Sequence, residues 1–283
     1  MTETMLESVQ RAQQLLDARG MDTHAAELAM RSVTGKSQAN YLASLREQVP
    51  HEPCSKFWSI ITELLTGKPI QYILGEESFY GYSFEVNEHV LIPRPETEEL
   101  VHYALQRATQ LFGERMIQVA DIGTGSGAIA IAFKKERPTA EVTATDFSQL
   151  ALEVAQRNAQ RNEVNVTFLQ GDMEEPLKHQ KWDIILSNPP YIADYEKVDM
   201  SPTVYDFEPQ TALFAEEDGL YFYRRLAENL SPLMNRPSLI GFEIGYLQGP
   251  AVQKFLEEAF PEATVEVIQD INKKDRMIFC EIR

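Results

Sequence analysis

The sequence predicts an α/β fold: an open, mostly parallel sheet wrapped by helices on both faces, preceded by a small all-α N-terminal bundle. Three observations predict it. Strand and helix signals alternate from about residue 96 to residue 283. Residues 1–74 show helical periodicity only. The last two strand segments are joined by residues 270–276, too short a link for a crossover helix, so the sheet should end in an antiparallel hairpin.

Each element has its own signal. A first helix is expected over residues 2–18, with Leu6, Val9, Leu15 and Leu16 as apolar positions and Gly20 as its stop. A second starts near Asp22 and carries Ala25, Leu28, Ala29 and Val33. Phe57, Ile60, Ile61, Leu64 and Leu65 form one stripe on a 3.6-residue period, closed by Gly67. These residues hold no reactive cluster, and 1–74 is read as a helical domain suited to docking a substrate. Phe79, Tyr80, Tyr82, Phe84 and Val86 nearly alternate around Gly81, which predicts a β-hairpin within a linker, 75–95. Pro93 and Pro95 break the chain before a helix beginning at Glu96 or Thr97, with Leu100, Val101, Ala104, Leu105 and Ala108 on its buried face. In the main domain, 96–283, strands are expected at 117–122, 141–146, 166–170, 182–187, 238–244, 264–268 and 277–282. Helices at 150–158 and 220–230 are among those that separate them.

Composition bounds the function. A chain of 283 residues with 43% hydrophobic and 24% charged residues suits one large globular domain plus a smaller one. No stretch has the length of a membrane span. The opening residues carry neither a basic start nor an apolar signal core, so a cytoplasmic protein without a membrane partner is expected. Cys54 and Cys280 form no Cys-x-x-Cys unit and are expected as two buried, reduced thiols. The five histidines show no helical ligand spacing, so no metal is expected. A net charge of −17 opposes approach to phosphate backbones. A basic protein surface is the easier partner than a nucleic acid.

Asp121-Ile122-Gly123-Thr124-Gly125-Ser126-Gly127 lies between a strand and a helix, where an α/β sheet binds ligands. The glycines allow a sharp turn and close backbone approach, and the following helix offers free N–H groups. Nineteen residues past Gly127 the second strand ends at Asp146, whose carboxylate suits a ribose, with Phe147 beside it to pack on an adenine. Gly123-x-Gly125-x-x-Ala128 also satisfies the dinucleotide fingerprint, so this turn alone admits S-adenosylmethionine or NAD.

Asn188-Pro189-Pro190-Tyr191 follows the fourth strand on the same edge of the sheet. The prolines stiffen the chain and remove two amide donors, leaving local carbonyls as acceptors beside the Asn188 side-chain oxygen. A planar NH2 group has two donors to satisfy, and these acceptors can take both while Tyr191 covers its plane. Acceptors that favour a pyramidal nitrogen stabilise the transition state of methyl transfer over the ground state. Nicotinamide chemistry has no use for such a motif, which favours S-adenosylmethionine.

With Leu91-Ile92-Pro93-Arg94-Pro95-Glu96-Thr97-Glu98, these motifs resemble the HemK/PrmC family of protein-(glutamine-N5) methyltransferases. Further matches are Pro69-Ile70-Gln71-Tyr72-Ile73-Leu74-Gly75, Phe79-Tyr80-Gly81, Glu208-Pro209-Gln210-Thr211-Ala212-Leu213 and Glu243-Ile244-Gly245-Tyr246-Leu247-Gln248-Gly249. The resemblance implies a Rossmann-like class I S-adenosylmethionine methyltransferase that modifies the glutamine of the Gly-Gly-Gln loop in peptide chain release factors, in translation termination. It implies that Gly123, Thr124, Gly125, Ser126 and Gly127 hold the methionine end of the cofactor and Asp146 its ribose. Asp172 and Met173 would contact the adenine, with Met173 where some members carry Trp. Asn188 and Pro189 would grip the glutamine amide, Pro190 and Tyr191 would shape its slot, and Arg94 and Glu96 would structure the entrance. S-adenosylhomocysteine would be the product. An adenine-N6 nucleic-acid methyltransferase shares the Asn188 motif, but it predicts a basic face and a target-recognition module.

Overall fold

Two hydrophobic patterns, one of period 3.6 and one running through buried strands, sort the chain into two units. The computed structural model describes residues 3–283, the side chain of Asp199 excepted, so the expected helix start at Thr2 lies outside the described residues.

The first unit takes residues 3–76 and 201–207. It holds α1 (Met5–Asp17), α2 (His24–Thr34), α3 (Gln38–Ala43), α4 (His51–Leu64) and α5 (Ile70–Leu74), together with the short helix Pro202–Phe207. Thr4 caps α1: its hydroxyl accepts from the Glu7 amide at 3.3 Å, and the Glu7 carboxylate accepts from the Thr4 amide at 2.9 Å. The buried face of α1 is Met5, Val9, Ala12 and Leu16. Leu6 and Leu15, expected inside, are exposed, because the stripe that meets Met30, Phe57 and Ile61 runs at i, i+4 from Met5. Cys54, expected buried, is half-buried; Cys280 is buried.

The second unit takes residues 77–200 and 208–283. Its elements are β1 (Glu76–Phe79), β2 (Tyr82–Glu85), α6 (Pro95–Phe112), β3 (Gln118–Ile122), α7 (Ala128–Glu136), β4 (Glu141–Asp146), α8 (Gln149–Arg161), β5 (Thr167–Gln170) and β6 (Trp182–Ser187). After these, and after the short helix noted above (α9), come α10 (Tyr221–Leu230), β7 (Met234–Glu243), α11 (Gly249–Ala259), β8 (Thr264–Gln269) and β9 (Asp275–Ile282). Of the expected linker 75–95, residues 77–95 belong to this unit, with Phe79, Phe84, Val86, Val90 and Ile92 buried. Pro95 does not break α6 but opens it, since a first-turn residue needs no N–H donor.

The seven strands run in the order β5-β4-β3-β6-β7-β9-β8. The first five are parallel, while β9 pairs antiparallel with β7 and β8, as expected of the last hairpin. Side chains alternate between faces. Val119, Ile184 and Leu239 join a core with α6 and α7; their neighbours Ala120, Ile185 and Ile240 join one with α10 and α11. Strand order reverses at β3, whose last residue Ile122 lies in register with Thr145 on one side and Ser187 on the other. An open sheet forms its ligand crevice at such a reversal.

Candidate active site

Three strand ends meet at that reversal. After β3 the backbone enters left-handed conformations at Gly123 (φ 71°), Gly125 (φ 54°) and Gly127 (φ 83°), which a side chain would strain. The amides of Gly123 and Thr124 both donate to the Thr145 carbonyl at 2.9 Å. Asp121 anchors the turn from beneath: its carboxylate accepts from the Thr124 hydroxyl at 2.6 Å and from the Ala130 amide at 3.3 Å. Burial pushes Asp121 up to about 7 against those two hydrogen bonds, with the Asp146 charge adding to the rise.

After β4, Asp146 accepts from the Gly125 amide at 2.8 Å and from the Ser148 amide at 2.9 Å, one on each oxygen. Burial raises its pKa, opposed by these backbone donors. Phe147 next to it is 74% exposed, so its ring is open to a ligand. Beyond β5, Met173 adopts φ 51° and Asp172 pairs with Arg225 at 2.7 Å.

After β6, Asn188 donates through Nδ2 to Thr97 Oγ1 at 3.2 Å, while its Oδ1 has no partner among the described residues. The chain beyond is held from the side. Gln248 donates to the Tyr191 carbonyl at 2.9 Å, and a Cβ on Gly219 (φ 81°) would stand 2.1 Å from that carbonyl oxygen.

These groups enclose a cavity of about 580 Å³, well inside the range of small-molecule sites. Gly123, Thr124, Gly125, Ser126, Asp146, Phe147, Asp172, Met173, Asn188 and Pro190 all line it. A Cβ on Gly123 or Gly125 would meet nothing within 4 Å, so both face open space. Arg94, Thr97, Thr211, Phe214 and Phe222 also line the cavity. Arg94 pairs with the buried Glu208 carboxylate, which also accepts from the Ile92 amide at 3.3 Å.

Four expected residues stand off this wall. Gly127 caps α7, where an added Cβ would lie 2.9 Å from Ile131 Cδ1 and 3.1 Å from the Ala155 Cβ. Pro189 is buried behind the wall. Glu96 does not reach the cavity lining. Tyr191 turns its hydroxyl to Glu243 Oε1 at 3.3 Å and is not among the lining residues.

Sequence reasoning missed the group behind Asn188. The Thr97 hydroxyl donates to Glu243 Oε2 at 2.6 Å, and Glu243 is only 2% exposed. Burial raises the Glu243 pKa, offset by Thr97, Arg276 and Tyr191. A usable signal existed: a carboxylate ending the apolar run Leu239-Ile240-Gly241-Phe242 must find partners once that strand is buried.

The PrmC N-terminal domain family model matches residues 7–75, and the Methyltransferase small domain model matches 102–204. A release factor glutamine methyltransferase of Bacillus anthracis is 44% identical over 98% of this chain and 98% of its own length. One of Bacillus subtilis (strain 168) is 43% identical over 98% of this chain and 97% of its own. Among solved structures, a methyltransferase from Pyrococcus furiosus superposes with a TM-score of 0.54 at 18% identity. It covers 78% of this chain and 96% of that one, a likeness of fold alone.

Proposed function

Since the chain belongs to the release factor glutamine methyltransferase family, we propose that it methylates the side-chain amide nitrogen (N5) of the glutamine in the Gly-Gly-Gln loop of a peptide chain release factor. The observation that carries this reading is the Asn188 amide. Its Nδ2 is committed to Thr97, and the residue lines the same cavity as the glycine turn and Asp146. A donor pocket and an amide acceptor therefore share one space.

S-adenosylmethionine, when bound, supplies a sulfonium methyl group and leaves as S-adenosylhomocysteine. In this reading the backbone of Gly123, Thr124, Gly125 and Ser126 holds its methionine end. The open space in front of Gly123 and Gly125 supports that assignment. Asp146 accepts from the ribose hydroxyls with lone pairs its two backbone donors leave over, and Phe147, Asp172 and Met173 border the adenine. Asn188 Oδ1 accepts one N–H of the target amide. A carbonyl of the Asn188-Pro189-Pro190-Tyr191 segment, in which neither proline has an N–H to offer, accepts the other. An amide nitrogen has a delocalised lone pair, so acceptors that favour its pyramidal form bind the transition state better than the ground state. The methylated nitrogen is acidic enough to release its proton to water.

Residues 1–74 dock the protein substrate in this reading, and 96–283 carry the chemistry, with 75–95 between them. In this reading the work is done in the cytoplasm, which fits that substrate class. It also makes a protein, rather than a nucleic acid or a membrane, the partner, which the charge of −17 favours.

The test incubates the protein with labelled S-adenosylmethionine and a release factor, then repeats with the loop glutamine replaced. Label is expected only on the glutamine-bearing substrate, and label persisting on the other would overturn the assignment. Asn188→Ala should lower kcat by about a hundredfold or more while leaving cofactor affinity nearly unchanged, as isothermal titration would report.

A further inference from the structure

We propose that Thr97 and Glu243 are positioning residues that dictate which end of the Asn188 amide faces the substrate; the inference rests on the reading of Asn188 as the amide acceptor. An Asn side chain turned by 180° exchanges two groups of nearly equal size, so packing alone barely distinguishes the two orientations. Only one of them is useful, because a target NH2 group needs an acceptor in front of it.

Hydrogen-bond polarity resolves the choice. Glu243, as a carboxylate, only accepts. Its Oε2 takes the Thr97 hydroxyl at 2.6 Å and its Oε1 takes the Tyr191 hydroxyl at 3.3 Å. Thr97 has one hydroxyl proton, and Glu243 uses it. Toward Asn188, Thr97 Oγ1 is therefore an acceptor, and the group it meets at 3.2 Å is Nδ2. The amide is thereby locked with Oδ1 turned away from Thr97. All three groups belong to elements of the second unit: Thr97 to the first turn of α6, Glu243 to the end of β7, and Asn188 to the exit of β6.

Two further groups bear on Glu243, one on its backbone and one on its charge. Tyr223 donates to the Glu243 carbonyl at 2.8 Å, and Arg276, bonded to Asp270 at 3.3 Å and to the Ile244 carbonyl at 3.3 Å, favours the ionised form. If Glu243 could not accept, Thr97 would be free to donate to Asn188, and the amide could turn its NH2 toward the target.

The experiment measures methyl transfer to a release factor under saturating conditions for wild type, Thr97→Ser, Thr97→Val, Glu243→Met and Asn188→Ala, with cofactor affinity and melting temperature for each. Thr97→Ser keeps the hydroxyl and should retain kcat within about threefold, whereas Thr97→Val should lose about tenfold to a hundredfold in kcat with little change in KM. Glu243→Met replaces the buried charge with an apolar side chain of similar length and should match Thr97→Val. A double variant carrying Thr97→Val and Glu243→Met should lose no more than either single one, because both act through the same bond. Full activity in Thr97→Val, or equal losses in Thr97→Ser and Thr97→Val, would overturn the proposal. If Glu243→Met fails to fold, the Thr97 pair still decides. Inactive Asn188→Ala beside fully active Thr97→Val refutes the relay alone, while a wild type that leaves the glutamine unmethylated refutes the functional reading.

Discussion

Asp121 sets burial directly against charge. Its carboxyl group is enclosed, one of its oxygens has no hydrogen-bond partner among the described residues, and its pKa is pushed up to about 7 chiefly by burial. An aspartate in an unfolded chain titrates near 3.9. The folded protein therefore holds this proton to higher pH than the unfolded one, and the stability so contributed is full below about 4 and lost as pH rises through about 7. Asp121→Asn removes the ionisation. In cofactor-free protein, the melting temperature of the variant relative to wild type should climb between those two values and level off above them. A difference independent of pH would contradict the assignment. Gly123 and Asn188 were readable as candidate site residues because each sits in a short local motif, whereas the anchoring role of Asp121 within the first of those motifs was not. Thr97 and Glu243 were not given their roles, since the bonds that define them join residues 91 and 146 positions apart.

The β1–β2 hairpin is held on the catalytic unit by α8, and a single side chain does much of the holding. Asn158 is fully buried; its Oδ1 accepts from the Glu85 amide at 2.6 Å, and its Nδ2 donates to the carbonyls of Glu85 and Ser126, both at 2.9 Å. The same residue thus supports the strand edge and the glycine turn. Asn158→Ala would take their partner from three backbone groups, the Ser126 carbonyl buried and the two of Glu85 partly so, and should cost about 3 kcal/mol in urea unfolding. Hydrogen exchange at the Glu85 amide should accelerate at the same time. Element type was legible wherever an apolar run led into glycine or proline, as at β3 and β6. Short helices such as α3 and α9 escaped notice because six residues span less than two helical turns and set up little periodicity. The start of β7 at Met234 escaped too, because Pro237 within it mimics a strand boundary.

Across the whole chain, a charge of −17 supplies a field that reaches beyond any one contact. If the partner presents a basic face, association should be steered and sensitive to salt. Raising sodium chloride from about 50 to about 300 mM should lower kcat/KM for the release factor by about tenfold, through association rather than through kcat. Steady-state kinetics at several salt concentrations would show it, and a flat profile would remove electrostatic steering from the account.

Local pattern was enough to specify the run of strands and helices, the glycine turn, and the Asn188 segment, because periodicity and turn chemistry act over a few residues. It could not specify that Ile122 would sit in register with Ser187, or that Thr97 would bridge Asn188 to Glu243. Those pairings depend on which strands become neighbours, and strand order is settled only when helices on both faces bury the sheet together. The orientation of one amide in the cavity is a product of that packing, since the two residues that set it, Thr97 and Glu243, come from distant parts of the chain.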